Sequence, residues 1–139
     1  MVVQQRAELS VKRFLPMLLL MIMIFILSRQ PGDAILLPDI VNIDKACHLL
    51  EYTVLGASCL YALHPAAVKL MPITICCLAM VICTAYGITD EVHQMFVSGR
   101  DSSAADVAAD FLGALLAAGI WWYKFKNRRL LEDLNHANI

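Results

Sequence analysis

Charge is scarce in this sequence: Asp, Glu, Lys and Arg make up 17% of its 139 residues, where an ordinary soluble domain carries about a quarter. Hydrophobic residues make up 60%, and the mean hydropathy is +0.66, more apolar surface than a water-soluble fold of this length can hide. With a net charge of -1, no basic excess points to a nucleic-acid partner. No Ser/Gly/Pro-rich linker, low-complexity tract or internal repeat divides the chain, so one domain over 1–139 is expected. The five cysteines (Cys47, Cys59, Cys76, Cys77, Cys83) lack CxxC spacing and zinc-finger histidines, which leaves them as small packing residues.

What the sequence does have is long apolar runs. A helix needs roughly 20 mostly apolar residues to cross about 30 Å of hydrocarbon. Four segments meet this, at about 11–28, 46–63, 70–96 and 104–123. The expected fold is all-α, a compact bundle of four transmembrane helices. Lys12 and Arg13 would snorkel to the interface from the first span, and Trp121, Trp122 and Tyr123 would anchor the last. A short connection containing Pro65 should make the second and third spans an antiparallel hairpin.

Lys and Arg set the orientation. Arg6, Lys12, Arg13, Lys69, Lys124, Lys126, Arg128 and Arg129 fall on one side, and Arg29, Lys45 and Arg100 on the other. Both termini are therefore expected in the cytoplasm, with the protein in a bacterial cytoplasmic membrane. The first span also resembles a cleaved signal peptide, with a basic start and a small-x-small pattern at Gly32 to Ala34. Its apolar core is long for such a signal, and the other three spans keep their orientation either way.

On this topology Asp33, Asp39, Asp44, Glu51, Asp90, Glu91, Asp101, Asp106 and Asp110 map to the outer half. Several lie inside spans, where an ionisable group costs about 2.5 to 3.5 kcal/mol on insertion scales and is a functional candidate by default. At 100° per residue, Asp44, His48, Glu51 and Tyr52 share one stripe of the second helix. Tyr86, Asp90 and Gln94 share one on the third, with His93 beside it and Glu91 on the adjoining flank. Asp106, Asp110 and Gly113 line up on the fourth.

Each residue has a plainer explanation too. Ser103-x-x-Asp106 has capping-box spacing, and an acid suits a helix N-terminus. Asp110 has no such local role, and its plain alternative is a hydrogen bond between helices. Arg100, in the turn Ser98-Gly99-Arg100-Asp101, is either solvated or paired with a neighbouring carboxylate. His64 and His136 read as solvated loop residues, and Met17, Met21 and Met23 as lipid-facing or packing residues. Gly113 and Gly119, with Ala114, Ala117 and Ala118, are expected to allow close helix approach.

Three blocks give the chain a family resemblance. Ser28-x-x-Pro31 closes the first span, and Asp44-Lys45-x-x-His48-x-x-x-Tyr52-x-x-x-Gly56 enters the second. Asp90-Glu91-x-His93-Gln94-x-Phe96-Val97-x-Gly99-Arg100 leaves the third and continues into Ser103-x-x-Asp106-x-x-x-Asp110-x-x-Gly113. In their order and placement these resemble the VanZ-like membrane proteins over essentially the whole length. Asp110 departs from the pattern, which commonly has Asn there; either side chain can hydrogen bond. The resemblance implies an integral membrane protein linked, through the family's name-giving member, to low-level resistance to a glycopeptide antibiotic of the teicoplanin kind. It implies no reaction.

Two functions fit the polar cluster. One is a pocket that binds an envelope lipid, a lipid-linked wall precursor or a glycopeptide antibiotic, with Lys45, Tyr52, Gln94, Arg100, Asp106 and Asp110 as its binding residues. The other is an intramembrane hydrolase or phosphatase whose catalytic candidates are His48, Asp44, Asp90, Glu91 and His93. The outer half carries a formal charge of about -6 with His neutral, which repels a bare phosphate. The hydrolase therefore needs a divalent metal or carboxylates kept neutral by burial, and the His and acid residues offer mixed nitrogen and oxygen ligands. A proton or cation pathway would use the same residues, and four helices would then have to oligomerise to form a conduit.

Overall fold

The computed structural model describes residues 11–32, 41–68 and 70–137, and among these it is helical, without a strand. A 3-10 turn, Val11–Phe14, leads into α1, Leu15–Ser28. Helix α2, Ile43–Leu63, ends in a second 3-10 turn, His64–Val68. Helices α3, Pro72–Gln94, and α4, Ala104–Ala137, complete the bundle. Arg6, Asp33, Ala34, Asp39 and Lys69 lie outside the described residues.

Local chemistry explains most of these limits. Pro16 and Pro72 sit in the first turns of α1 and α3, where the missing N–H would have had no helical partner. Helix α3 ends as its last bonds tighten: Phe96 N–H reaches the His93 carbonyl and Val97 N–H the Gln94 carbonyl, the i to i-3 pattern common at helix ends. Helix α4 continues well beyond Tyr123, because residues 124–137 contain neither Gly nor Pro and are rich in helix-favouring Lys, Arg and Leu. Position 136 therefore lies in a helix rather than a loop.

The segments Val11–Ser28, Ile43–Ala66, Pro72–Gln94 and Ala104–Leu131 are each long and apolar enough to cross a membrane. Leu18, Leu19, Ile22, Val54, Val81, Ile88, Leu112 and Leu116 point outward, while His48, Asp90, Glu91, Asp106 and Asp110 turn inward. Such a surface suits hydrocarbon and is costly in water. The apolar core holds Ile24, Tyr52, Leu55, Cys59, Leu60, Ile75 and Cys83.

Helix α4 packs most extensively on α2 and next on α3, whereas α1 rests on α2 and α3 and does not approach α4. Small side chains set how closely α4 approaches. A Cβ on Gly113 would lie 2.9 Å from the Thr53 nitrogen and 3.1 Å from the Tyr52 carbonyl carbon, while Gly56 packs on Ala114 and Ala117. This is the close approach expected of small residues inside membranes. Gly119 does not share it: among the described residues nothing lies within 4 Å of its Cβ position. Six residues on from Gly113, it is turned about 120° away from α2.

Arg13 finds a partner at the other end of α2: its Nε and Nη2 donate to the Tyr61 carbonyl at 3.2 and 2.9 Å, satisfying a C-terminal carbonyl of α2 that has no helical donor. This bond joins the start of α1 to the end of α2. Arg13, Tyr61, His64, Trp121, Lys124 and Arg128 surround a cavity of about 250 Å³ at this basic end. His64 is exposed but packs edge-on against Trp121, their centroids 5.8 Å apart. The opposite end collects the buried acids.

Candidate functional site

Helices α2 and α4 start, and α3 ends, at the polar end of the bundle, so their inward stripes meet there. Asp110 is fully buried, with its Oδ1 2.9 Å from His48 Nδ1. An ionised carboxylate only accepts, so Nδ1–H is the donor, and in a neutral ring the lone pair is then on Nε2. Gly87 makes room for this pair: a Cβ there would collide with Asp110 Oδ2 and lie 3.1 Å from its Cβ and Cγ. The ring of His48 also stacks over that of buried Tyr52, 6.4 Å between centroids.

The last turns of α3 face the other side of the imidazole. Glu91 Oε1 stands 3.8 Å from His48 Nε2, beyond hydrogen-bond range, while Glu91 Oε2 accepts the Ser103 backbone N–H at 2.8 Å. Asp90 Oδ2 accepts from Gln94 Nε2 at 3.0 Å. One ligand atom from each of His48, Asp90 and Glu91 lies within 4.8 Å of the other two. Lys45 bridges exposed Asp44, at 2.8 Å, and buried Asp106, at 3.2 Å. Four buried carboxylates thus face Lys45 and His48.

The structure therefore gathers His48, Asp90, Glu91, Gln94 and Asp110 around one point, with Lys45 and Asp106 adjoining. His93 is not among them, since its ring lies against Phe25 of α1, 4.6 Å between centroids. One residue short of Gln94, it is turned about 100° from the Asp90 and Gln94 stripe. Arg100 pairs with no carboxylate among the described residues, and it lines the cavities instead. The capping box forms only in half. Ser103 Oγ accepts the Ala105 N–H at 3.1 Å, but the Ser103 N–H goes to Glu91 and Asp106 turns to Lys45.

Two adjoining cavities reach this cluster, of about 160 and 210 Å³, and share Asp44, His48, Gln94 and Arg100. The first runs between α1 and α2 and is also lined by Leu27, Ser28, Gln30, Cys47 and Glu51. The second extends under the α3–α4 loop, where Gly32 N–H bonds the Ser98 carbonyl at 3.1 Å and Gly99 takes a positive φ of 73°. Leu27, Gln30, Cys47 and the Ser103 N–H carry little sequence signal. The first three are ordinary interface residues, and a backbone donor has no side-chain identity to read. A polar residue just past the end of an apolar span, as Gln30 is, was the available hint.

A family model described as VanZ/LLP1 matches residues 13–127, which takes in the whole site. The chain belongs to the VanZ/LLP1 family. No curated protein and no solved structure matches it. As a VanZ/LLP1 protein with four apolar helices it is a multi-pass membrane protein, and its family is associated with antibiotic resistance. The matched region includes the His48–Asp110 pair and both cavities.

Proposed function

We propose that this VanZ/LLP1 protein binds the polar head of a membrane-embedded ligand, an envelope lipid, lipid-linked wall precursor or glycopeptide antibiotic, at the outer face of the bacterial cytoplasmic membrane. The observation that carries this reading is the mixed lining of the cavity between α1 and α2. Leu27 and Cys47 flank the same space as Gln30, His48, Glu51, Gln94 and Arg100, the pairing that a ligand with an apolar tail and a hydrogen-bonding head requires. Arg100, which pairs with no carboxylate among the described residues, supplies the cation for an anionic head group.

The orientation rests on the Lys and Arg asymmetry: the end holding Arg13, Lys124 and Arg128 faces the cytoplasm. A green fluorescent protein fused after Ile139 is expected to fluoresce, and an alkaline phosphatase fused there to stay inactive. The reverse pattern would turn the cavity toward the cytoplasm and overturn the outer-face site.

For the ligand, the chain is purified in a mild detergent and its retained lipids are extracted and identified by mass spectrometry. Wild-type protein is expected to retain a lipid or lipid-linked phosphate that Arg100→Ala and Gln94→Ala lose by at least about tenfold, the effect of removing a charged hydrogen bond. Equal retention by the variants counts against the reading.

A second reading, hydrolysis of a lipid-linked substrate, draws on the His48–Asp110 pair: with Nδ1–H on Asp110, a neutral ring offers an Nε2 lone pair of the kind a general base uses. Phosphate release from a lipid-linked diphosphate, lost in His48→Gln, would favour that reading over simple binding.

A further inference from the structure

The most unusual local arrangement is the gap between His48 and Glu91. With Asp110 at its Nδ1, His48 presents Nε2 to Glu91 Oε1 across 3.8 Å. In the neutral ring two electron-rich atoms face each other inside a membrane-spanning bundle, with no hydrogen bond between them. Among the described residues, Glu91 Oε1 and Asp90 Oδ1 have no hydrogen-bond partner, although Asp90 and Glu91 are 3% and 4% exposed. Leaving such atoms unpaired costs several kcal/mol in a dry interior.

The helix geometry makes the need for positive charge greater. Asp106 lies in the first turn of α4, where the helix dipole favours an acid. Asp90 and Glu91 lie in the last turns of α3, where the same dipole opposes one. Lys45 is already shared between Asp44 and Asp106.

We propose that His48, Asp90 and Glu91 hold a divalent transition-metal ion, bound through His48 Nε2 and one oxygen of each carboxylate. Bonds of about 2.0 to 2.2 Å to a common ion place two ligand atoms roughly 3 to 4 Å apart, so the 3.8 Å separation of Nε2 and Oε1 fits such a pair. The ligand atoms of the three residues already lie within 4.8 Å of one another. Asp110 completes a carboxylate–histidine–metal arrangement, in which the second ring nitrogen donates to an acid that fixes the tautomer. One imidazole and two carboxylates suit zinc or manganese better than magnesium, which favours oxygen alone, and zinc should bind more tightly than manganese.

Three protein ligands leave a coordination position open, and His48 lines both cavities. That position would take an oxygen of an anionic head group, a role that rests on the binding reading above. The ion also meets the acidity of the site, because it offsets the charge that would otherwise repel a phosphate.

The test uses the full chain in detergent, stripped with chelator and then titrated with zinc chloride and, separately, manganese chloride. About one zinc per chain is expected, accompanied by a rise in the unfolding midpoint of the wild-type protein. Glu91→Gln and His48→Ala should weaken zinc binding at least about 100-fold. Asp110→Leu, which removes the orienting acid, should weaken it about 10- to 100-fold, and Asp110→Asn, whose amide oxygen can still accept from Nδ1, should weaken it less than Asp110→Leu. The midpoint shift needs no variant, so it remains informative if a substitution prevents folding. Absence of both stoichiometric zinc and the midpoint shift, or zinc binding that follows the cysteines rather than His48 and Glu91, overturns the ion site. Lipid retained equally by chelated and zinc-loaded protein overturns the bridging role alone. Stoichiometric zinc without retained lipid overturns the binding reading and leaves the ion site standing.

Discussion

His48→Leu is expected to lower the stability of the purified protein by about 3 to 5 kcal/mol, measured by reversible unfolding in mixed micelles. The substitution nearly preserves volume but leaves Asp110 buried without the partner now at 2.9 Å, and an uncompensated buried charge is worth that much. The double variant His48→Leu/Asp110→Leu should recover a substantial part of the loss, because replacing both members of a buried pair with apolar groups is often neutral or better. A double variant no more stable than His48→Leu would show that the pair is not the source of the cost. The cycle also yields the coupling energy between the two side chains.

The second large effect is expected at Gly113. Gly113→Ala places a methyl 2.9 Å from the Thr53 nitrogen and still closer to the Leu49 carbonyl oxygen, so backbone rather than flexible side chain must yield. Overpacking of this kind costs about 1 to 3 kcal/mol, and Gly113→Val should exceed that. Because Asp110 is one turn from Gly113 on α4, moving the helix outward also lengthens the His48–Asp110 bond. Zinc affinity and stability should therefore fall together. Gly119→Ala is the control: with nothing within 4 Å among the described residues, it should raise stability by about 0.5 to 1 kcal/mol through helix propensity alone. Equal stability of Gly113→Ala and Gly119→Ala would rule out the close α2–α4 contact.

The four spans and the clustering of ionisable residues could be read from the sequence because both depend on periodicity. An apolar run of sufficient length marks a candidate membrane helix whatever it packs against. Stripes such as Asp90 and Gln94, or Asp106 and Asp110, follow from 100° per residue. Pairings between helices depend on rotation and depth instead, which a single sequence does not encode. His93 illustrates this: next to Gln94 in sequence, it belongs to a face occupied by α1 and meets Phe25. Asp106 illustrates competition between local and long-range partners. Its spacing from Ser103 suits a capping box, yet Lys45 and Glu91 claim the two groups that would have closed it. Gly119 has the sequence context of a packing glycine and Gly87 does not, yet Gly87 faces Asp110 while among the described residues nothing lies within 4 Å of the Gly119 Cβ position.

The packing order of the bundle bears on how the protein is made. Helix α4 supplies most of the packing on α2 and also closes against α3, and it carries Asp110, the partner of His48. It also follows the other three spans in the chain, so it emerges after them during synthesis. Until it inserts, His48, Asp90 and Glu91 sit on two helices without the acid that orients the imidazole or the Ser103 N–H that Glu91 accepts. It follows that a nascent chain with three spans in the bilayer has no formed site, so capture of an ion or head group has to wait for the fourth span to dock.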